Sequence, residues 1–271
     1  MTAMDYQSAA ELVSGYRLED FHITQRVEEY TKAFALDTLL DQLEKDHLAG
    51  SGNGAQKNGS IAEVNPFPPE YNDLCRLHYL VLSRKALNVL EFGSGYSTAI
   101  MAAAMRCLRR EFDGWARETL RVETPFKVFS VEEDRYFAEL TEKRLGSSLG
   151  DYAEVSISSV TLTEHDFRYC TTYDKLPNIS PDLIYLDGPS QFANTQSRNG
   201  FSHASNCRMP MASDILKLEF YFEPGTFIVV DGRTANARFL RSYLRRNWSY
   251  VHDEKGDVHY FELNEPPPVS Y

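Results

Sequence analysis

A chain of 271 residues, 42% of them hydrophobic and 13% aromatic, can bury a substantial core in one large domain or two small ones. Its formal charge of −11 argues against a nucleic-acid backbone as a major partner, because phosphate binding requires clustered lysine and arginine. No apolar run approaches the roughly 20 residues that span a bilayer, so we expect no membrane partner.

The cysteines and the N-terminus indicate the compartment. The four cysteines are widely spaced, with no Cys-x-x-Cys motif and no histidines paired at metal-binding spacing. Residues 1–11 contain no basic region followed by an apolar one, so we expect no secretory signal. These features predict a cytoplasmic protein with reduced thiols.

Residues 1–49 are predicted to form an N-terminal helical extension. Val27, Tyr30, Phe34 and Leu40 belong to a set of apolar residues at three- and four-residue spacing, with charged residues between them. An amphipathic helix of this kind must bury its apolar stripe against the main domain or another subunit, so a homo-oligomer is one expectation. Residues 50–60 have the composition of a flexible linker, and residues 61–271 form the main domain.

Strands and helices alternate along the main domain. Helices are expected over about 72–83 (capped by Asn72 or Asp73), 99–110, 135–145, 212–222 and 235–246, with 111–125 as a polar insertion and 190–210 as a long loop. Strands are expected over 88–92, 127–131, 154–162, 182–187 and 226–230, followed by a hairpin of 248–252 and 258–263. The pattern predicts an α/β fold with a doubly wound, mostly parallel seven-stranded sheet, and the C-terminal hairpin adds an antiparallel strand.

The turn after the first of these strands carries the most informative motif. Glu91, Gly93 and Gly95 form an acid-x-Gly-x-Gly sequence between an apolar run and an alanine-rich helix. The glycines permit a close ligand approach that a Cβ would block, and the helix offers unpaired N–H groups to an electron-rich ligand. A dinucleotide-binding turn has a third glycine, but Thr98 stands at that position.

This motif resembles the first motif of the class I, Rossmann-like S-adenosylmethionine-dependent methyltransferases. The wider pattern, over roughly residues 70–263, is nearest to that of small-molecule O-methyltransferases of the catechol type. The resemblance implies that the turn holds the amino-acid end of S-adenosylmethionine, and that the seventh strand inserts antiparallel between the fifth and the sixth. The predicted cofactor-binding residues are Glu91, Phe92, Gly93, Ser94, Gly95, Ser97, Thr98, Glu132 and Asp187.

An acidic residue ends each of four predicted strands, namely Glu91, Glu132, Asp187 and Asp231. In an open α/β sheet, ligands bind outside the carboxyl ends of the strands, at the switch in strand order. The resemblance implies that Glu132 accepts both ribose hydroxyls, with Glu133 as the alternative if the register shifts by one. Candidates for the adenine contact follow the third strand: Glu164, His165 and, favoured among them, Asp166.

The expected chemistry centres on Asp187, which the resemblance places beside the methyl group and the incoming nucleophile, as a base or orienting group. In the catechol-type branch, the positions of Asp187 and Asp231 hold Mg²⁺ with an asparagine directly after the second acid. Here Gly232 and Arg233 follow. Mg²⁺ therefore remains an option, and the alternative is that Arg233 repels a cation and pairs with Asp231. His203 is a third catalytic candidate, and the acceptor side draws on Phe67, Gln191, Phe192, Arg198 and Met209.

The leading hypothesis is thus methyl transfer from S-adenosylmethionine to a small-molecule acceptor, at a hydroxyl oxygen. A NAD-dependent oxidoreductase is one alternative, which Thr98 and the antiparallel hairpin disfavour. A non-catalytic module that binds the cofactor and scaffolds a partner is another, which the retention of Asp187 and Asp231 disfavours.

Overall fold

A computed structural model describes residues 8–50, 68–190, 196–202 and 211–265. Nearly all of the predicted linker lies outside these ranges, as do the candidates His203, Phe67, Gln191, Phe192 and Met209. The predictions for those residues stay predictions. In the described part of the chain, no helix has both the length and the apolar character to cross a bilayer.

Strands form a central sheet and two small ribbons. In chain order they are β1 (Asn88–Phe92), β2 (Lys127–Glu132), β3 (Ala153–Ile157), β4 (Val160–His165), β5 (Arg168–Tyr173), β6 (Leu183–Leu186), β7 (Ser197–Arg198), β8 (Phe201–Ser202), β9 (Phe227–Asp231), β10 (Trp248–Asp253) and β11 (Val258–Leu263). The seven-stranded sheet has the order β10-β11-β9-β6-β1-β2-β3, while β4–β5 and β7–β8 form separate ribbons.

Helices cover both faces of the central sheet. They are α1 (Ala9–Val13), α2 (Thr24–Ala33), α3 (Asp37–Gly50), α4 (Tyr71–Ser83), α5 (Tyr96–Thr119), α6 (Arg135–Leu149), α7 (Asp214–Leu218) and α8 (Thr234–Tyr243). Short 3₁₀ turns occupy Leu18–His22, Gly150–Tyr152 and Glu219–Tyr221.

The strand order confirms the predicted fold class. β1 pairs in parallel with β2 on one side and β6 on the other, and β9 continues the parallel set. β11 is antiparallel to both β9 and β10, so the last strand of the chain lies between the fifth and sixth strands of the sheet. The strand order therefore reverses between β1 and β6, and open α/β sheets bind ligands at such a switch point.

Side chains alternate between the two faces of the sheet, which divides the core into two layers. Val89, Leu183 and Val229 pack with α4, α5 and the N-terminal helices on one face. Leu90 and Ile184 pack on the other face with α7, α8 and the β4–β5 ribbon. All five residues of β1 are buried, as expected for a parallel strand covered on both sides.

The N-terminal extension is broken into α1, a 3₁₀ turn, α2 and α3, whereas the sequence predicted continuous helical structure. Ala35, with φ of 50°, redirects the chain between α2 and α3. The apolar stripe is buried within the same chain: Tyr30 is 0% exposed, and its hydroxyl lies 2.7 Å from His78 Nδ1 on α4. Of the two predicted burial partners, the main domain is the one observed. The homo-oligomer stays a prediction.

The prediction of a polar insertion at 111–125 is wrong for its first part, because α5 continues to Thr119. An ion pair of 2.7 Å joins Asp113 to Arg117 one turn later, and Ala116 is only 2% exposed. Within residues 111–119 only Ala116 is buried, so this part of α5 lacks the apolar pattern that predicts a helix. The ion pair at four-residue spacing helps to stabilise it instead.

The prediction of a single third strand over 154–162 is also wrong. β3 ends at Ile157, and Val160 begins the β4–β5 ribbon, whose second strand was not predicted. Ser158 N–H still bonds to Glu132 O at 2.9 Å, but the next residues leave the sheet. Valine, threonine and serine are common on both sides of the break, so composition did not mark it.

Other boundaries shift by less. α6 passes Gly146, where φ is 51° and ψ is −157°, and resumes for one more turn to Leu149. The predicted helix 212–222 is a short α7 followed by a 3₁₀ turn. Glu70, rather than Asn72 or Asp73, is the N-cap residue of α4, and no side chain caps that helix.

Candidate active site

The four strand-end acids all face α4 and α5. Val89, Val128, Leu183 and Phe227 are level with one another in the parallel register, so every second residue after them shares their face. The positions on this face include Glu91, Glu132, Asp187 and Asp231. Glu91 lies one pleat deeper than the other three, which sit at the edge of the sheet. The structure thus brings together the acids that the sequence singled out.

The turn after β1 touches the chain after β6 at the point where the strand order switches. Gly93 has φ of 100°, and a Cβ there would lie 3.1 Å from Gly188 N. A Cβ on Gly188 would lie 2.5 Å from Gly93 N and 2.7 Å from the Tyr173 hydroxyl. Phe92 O accepts the N–H groups of Asp187 and Gly188 at 3.1 and 2.5 Å. Only glycines allow this close approach.

Glu91 lies beneath the turn and organises it. Its carboxylate is 1% exposed and accepts hydrogen bonds from Thr98 Oγ1 at 2.6 Å, from Ser130 Oγ at 2.5 Å and from the Ser97 hydroxyl. Burial raises the pKa of Glu91 to about 7, because the loss of water outweighs these three bonds. Glu91 was predicted to bind cofactor. Because its carboxylate is buried beneath the turn, we expect Glu91 to affect cofactor binding through the conformation of the turn and not by direct contact.

Thr98 explains the missing third glycine. Its hydroxyl oxygen accepts the Gly95 N–H at 3.0 Å and donates to Glu91, so it caps α5 and anchors the turn at once. Thr98 is 0% exposed. The Phe92 side chain lies on the opposite face, where it stacks on Tyr173 with ring centroids 5.9 Å apart. Thr98 and Phe92 therefore stabilise the turn from opposite faces of the sheet.

Glu132 lies beside the turn at the end of β2. Ser94 Oγ donates to Glu132 Oε2 at 3.0 Å, and Asp134 N donates to Oε1 at 2.9 Å. Burial, with the neighbouring Glu133 adding repulsion, raises the pKa of Glu132 to about 8. Glu133 points toward the chain after β6, where it accepts the Ser190 N–H at 2.5 Å, and it also accepts the Tyr173 hydroxyl of β5 at 3.0 Å. Of the two alternatives, Glu132 is the one bonded to the turn.

Asp187 and Asp231 end neighbouring strands but have different partners. Asp187 keeps 60% of its side chain exposed, and its Oδ1 lies 3.9 Å from Arg233 Nε. Desolvation by the surrounding protein raises the pKa of Asp187, while Arg233 opposes the rise. Asp231 Oδ2 accepts the Tyr185 hydroxyl at 2.7 Å, and burial raises the pKa of Asp231 to about 6. The alternative pairing of Arg233 with Asp231 is wrong, since Arg233 faces Asp187.

The first two turns of α4 add charged groups that the sequence did not single out. Arg76 is 3% exposed and pairs with Asp73 at 2.8 Å. Burial raises the pKa of Asp73 to about 7, with Arg76 opposing and Asp231 adding to the rise. Asp73 had been considered only as a helix cap. Acid–base spacing of three residues was the available signal, and it also occurs on ordinary helix surfaces.

The three candidates for the adenine contact lie on the β4–β5 ribbon and not directly after a strand of the central sheet. Glu164 and His165 belong to β4, and Asp166 forms the turn of the β4–β5 ribbon with φ of 44°. Asp166 pairs with Arg245 at 3.3 Å, and the His165 ring packs against Phe239 of α8. The residues that follow β3 at the sheet edge are serines 158 and 159.

The residues present do not fit a Mg²⁺ ion at Asp187 and Asp231. The Arg233 guanidinium occupies the cation's side of Asp187, and the Tyr185 hydroxyl occupies one oxygen of Asp231. Gly232 supplies no side-chain oxygen. Mg²⁺ accepts waters for several of its six ligands, but among the described residues the carboxylates of Asp187 and Asp231 are already engaged, one by a guanidinium and the other by a hydroxyl.

No protein-family model matches the chain, and no curated protein matches it. An O-methyltransferase from Bacillus cereus in complex with SAH aligns with a TM-score of 0.45 at 14% identity, over 88% of this chain and 100% of that one. The SAH-bound methyltransferase PaMTH1 from Podospora anserina aligns with a TM-score of 0.48 at 11% identity, over 83% of this chain and 88% of that one.

A third solved structure is the O-methyltransferase TomG from Streptomyces achromogenes, in complex with SAM. It aligns with a TM-score of 0.42 at 15% identity, over 84% of this chain and 90% of that one. The strand order of the present chain, with β11 antiparallel between β9 and β10, is the order that the resemblance to class I methyltransferases implied.

Proposed function

We propose that this protein is an enzyme that transfers the methyl group of S-adenosylmethionine to a hydroxyl oxygen of a small molecule. The observation that carries the proposal is the crowding of carboxylates around a glycine turn at the switch point of the sheet. Glu132, Asp187 and Asp231 share one face, and burial raises the pKa of each. A ligand with positive charge relieves such crowding, whereas the diphosphate of NAD would add to it.

The glycine turn and β2 supply the residues that would hold the cofactor. The close packing of Gly93 on Gly188 leaves backbone, rather than side chains, facing the ligand. Ser94 and Ser97 stand on the turn, and Glu132 is placed to exchange its bond from Ser94 for ribose hydroxyls. S-adenosylmethionine, when bound, supplies a methyl group on an electrophilic sulfonium. The chain's own task is then to orient the acceptor and remove its proton.

Asp187 is the proposed base or orienting group. Its carboxylate is exposed at the sheet edge, and its raised pKa makes it a better proton acceptor than an ordinary aspartate. Arg233 is 11% exposed and is held by Pro189 O at 2.8 Å, which keeps the guanidinium beside Asp187. We propose that Arg233 takes the place of a metal ion as the fixed positive charge near the acceptor oxygen. Asp231 and His203 remain the other proposed catalytic residues.

Calorimetry with S-adenosylmethionine and S-adenosylhomocysteine tests the proposal first. Binding of either is expected, with no binding of NADH. Asp187→Asn is expected to keep cofactor binding and to lower methyl transfer at least about a hundredfold, since general base catalysis contributes 10²–10⁴. The control Asp166→Asn alters an exposed acid outside the site and should change neither. Failure to bind both cofactor forms would refute the function, and full turnover in Asp187→Asn would refute the role of Asp187.

A further inference from the structure

The C-terminal hairpin carries a histidine pair that the sequence spacing did not reveal. His252 of β10 and His259 of β11 lie directly opposite each other in the antiparallel register. Their rings are nearly parallel, with an interplanar angle of 16° and centroids 4.0 Å apart. Six residues lie between them in the chain, which is outside the usual spacing of helical or finger-type metal motifs, so only strand pairing brings them together.

Asp257, in the hairpin loop, completes a three-ligand group. One ligand atom from each of His252, Asp257 and His259 lies within 4.8 Å of the other two. His252 and Asp257 are exposed, which leaves an entry path, whereas His259 is 0% exposed. The group contains a carboxylate to offset positive charge and two imidazoles to supply nitrogen ligands.

Hydrogen bonds around His259 hold it in an orientation suited to a metal ligand. The Tyr250 hydroxyl lies 3.0 Å from Nδ1, and Thr234 Oγ1 lies 3.1 Å from Nε2. Thr234 Oγ1 in turn donates to Asp257 Oδ1 at 3.4 Å, so Nε2 and the carboxylate converge on the same small region. These bonds fix the His259 ring with Nε2 on the side of the Asp257 carboxylate.

We propose that His252, Asp257 and His259 bind a divalent transition-metal ion of the Zn²⁺ type, with water at the remaining position. Two imidazoles and one carboxylate suit Zn²⁺ and its neighbours, whereas Mg²⁺ and Ca²⁺ require mainly oxygen ligands. Bonds of about 2.1 Å at tetrahedral angles place ligand atoms roughly 3.4 Å apart, so the exposed His252 and Asp257 close inward on binding. His259 Nε2 leaves Thr234 for the ion, and Nδ1–H donates to the Tyr250 hydroxyl.

The site adjoins the strand end that carries Asp231 but shares no residue with it. Gly232 N donates to Asp257 O at 2.9 Å, and Val258 pairs with Asp231. Thr234 is the first residue of α8. A bound ion therefore ties the hairpin to the junction of β9 and α8, beside Arg233, and we expect it to stiffen that junction.

Titration of the chain, without an affinity tag, with Co²⁺ as a spectroscopic probe tests the site. We expect a single Co²⁺ per chain with a visible d–d band, its displacement by Zn²⁺, and a higher thermal midpoint with Zn²⁺ present. His252→Ala and Asp257→Asn should each weaken binding at least about tenfold. Both positions are exposed, so the fold is expected to survive.

His22→Gln is the matched control. His22 pairs with Asp253 at 2.8 Å, close to the hairpin but outside the three-ligand group, and its replacement should leave Co²⁺ affinity unchanged. Absence of binding to the wild-type chain, or equal affinity in wild type and His252→Ala, would overturn the proposal. Because S-adenosylmethionine binding is measured separately, failure of this site leaves the proposed function untouched.

Discussion

Replacing Glu91 by glutamine perturbs the acid beneath the glycine turn with almost no change in shape. In the folded chain burial raises the pKa of Glu91 to about 7, against 4.5 for an ordinary glutamate. A raised folded-state pKa means that the folded chain holds the proton more tightly than the unfolded chain. The resulting stability is fully present below about pH 4.5 and is lost as pH rises through about 7. Glutamine, which does not titrate, removes this dependence.

The size of the effect follows from the same values. The interval between 4.5 and about 7 corresponds to roughly 3 kcal/mol at 1.36 kcal/mol per pH unit, and full burial leaves no solvent screening to discount. At about pH 5 the two proteins should differ mainly through the hydrogen bonds from Ser97, Thr98 and Ser130, of about 1 kcal/mol each, since less than about 1 kcal/mol of the pH-dependent stability is lost by then. At about pH 8.5 the wild type alone carries the buried charge, so the comparison should shift in favour of Glu91→Gln by roughly 2.5 kcal/mol relative to pH 5.

Urea unfolding at several pH values between about 5 and 8.5 measures the free energies of unfolding. The informative quantity is the difference between wild type and variant at each pH, because all other titrating groups are common to both. Glu142→Gln, an exposed position on α6, serves as control and should run parallel to the wild type throughout. A constant difference between wild type and Glu91→Gln across the pH range would refute the assignment of a raised pKa to Glu91.

Three further predictions test the turn, the cofactor and the extension. In Gly188→Ala the new Cβ would lie 2.5 Å from Gly93 N, which should lower the free energy of unfolding by about 1–3 kcal/mol and weaken S-adenosylmethionine binding. Gly114→Ala, where nothing lies within 4 Å, should be neutral or stabilising by up to about 1 kcal/mol, and equal losses in both would contradict the clash. Glu132→Gln should keep the fold and reduce cofactor affinity at least about tenfold in calorimetry, and unchanged affinity would exclude the ribose role. Leu40→Ala should lose about 2–5 kcal/mol in denaturant unfolding, and a midpoint that depends on protein concentration would indicate burial between subunits instead.

The sequence predicted the sheet well because its strands are buried on both faces. Such strands are short apolar runs bounded by glycine, proline or acidic residues, and their alternation with helices leaves few possible topologies. The positions of Glu91, Glu132, Asp187 and Asp231 at strand ends followed from the same reading. The sequence could also have predicted that these four acids share a face of the sheet. Side chains alternate with period two along a strand, so the face of each acid follows once the parallel strands are aligned.

The wrong predictions of strand and helix boundaries have a shared physical cause. The break after Ile157 and the extension of α5 to Thr119 depend on which neighbouring segment supplies hydrogen bonds and burial. Composition within a short window does not contain that information. The same holds for Asp166, the favoured candidate for the adenine contact. The prediction joined the preceding strand to the central sheet, whereas that strand belongs to the separate β4–β5 ribbon.

The sequence by itself determined the α/β class, the glycine turn and the carboxylates at the strand ends, because hydrophobic period and backbone sterics act locally. Only the tertiary structure decided that Arg233 faces Asp187, that Gly188 packs on Gly93, and that α4 brings Asp73 to the site. The pairing of His252 with His259 belongs to the same group. These contacts join segments distant in the chain, and their geometry exists only after strand register and helix packing are set.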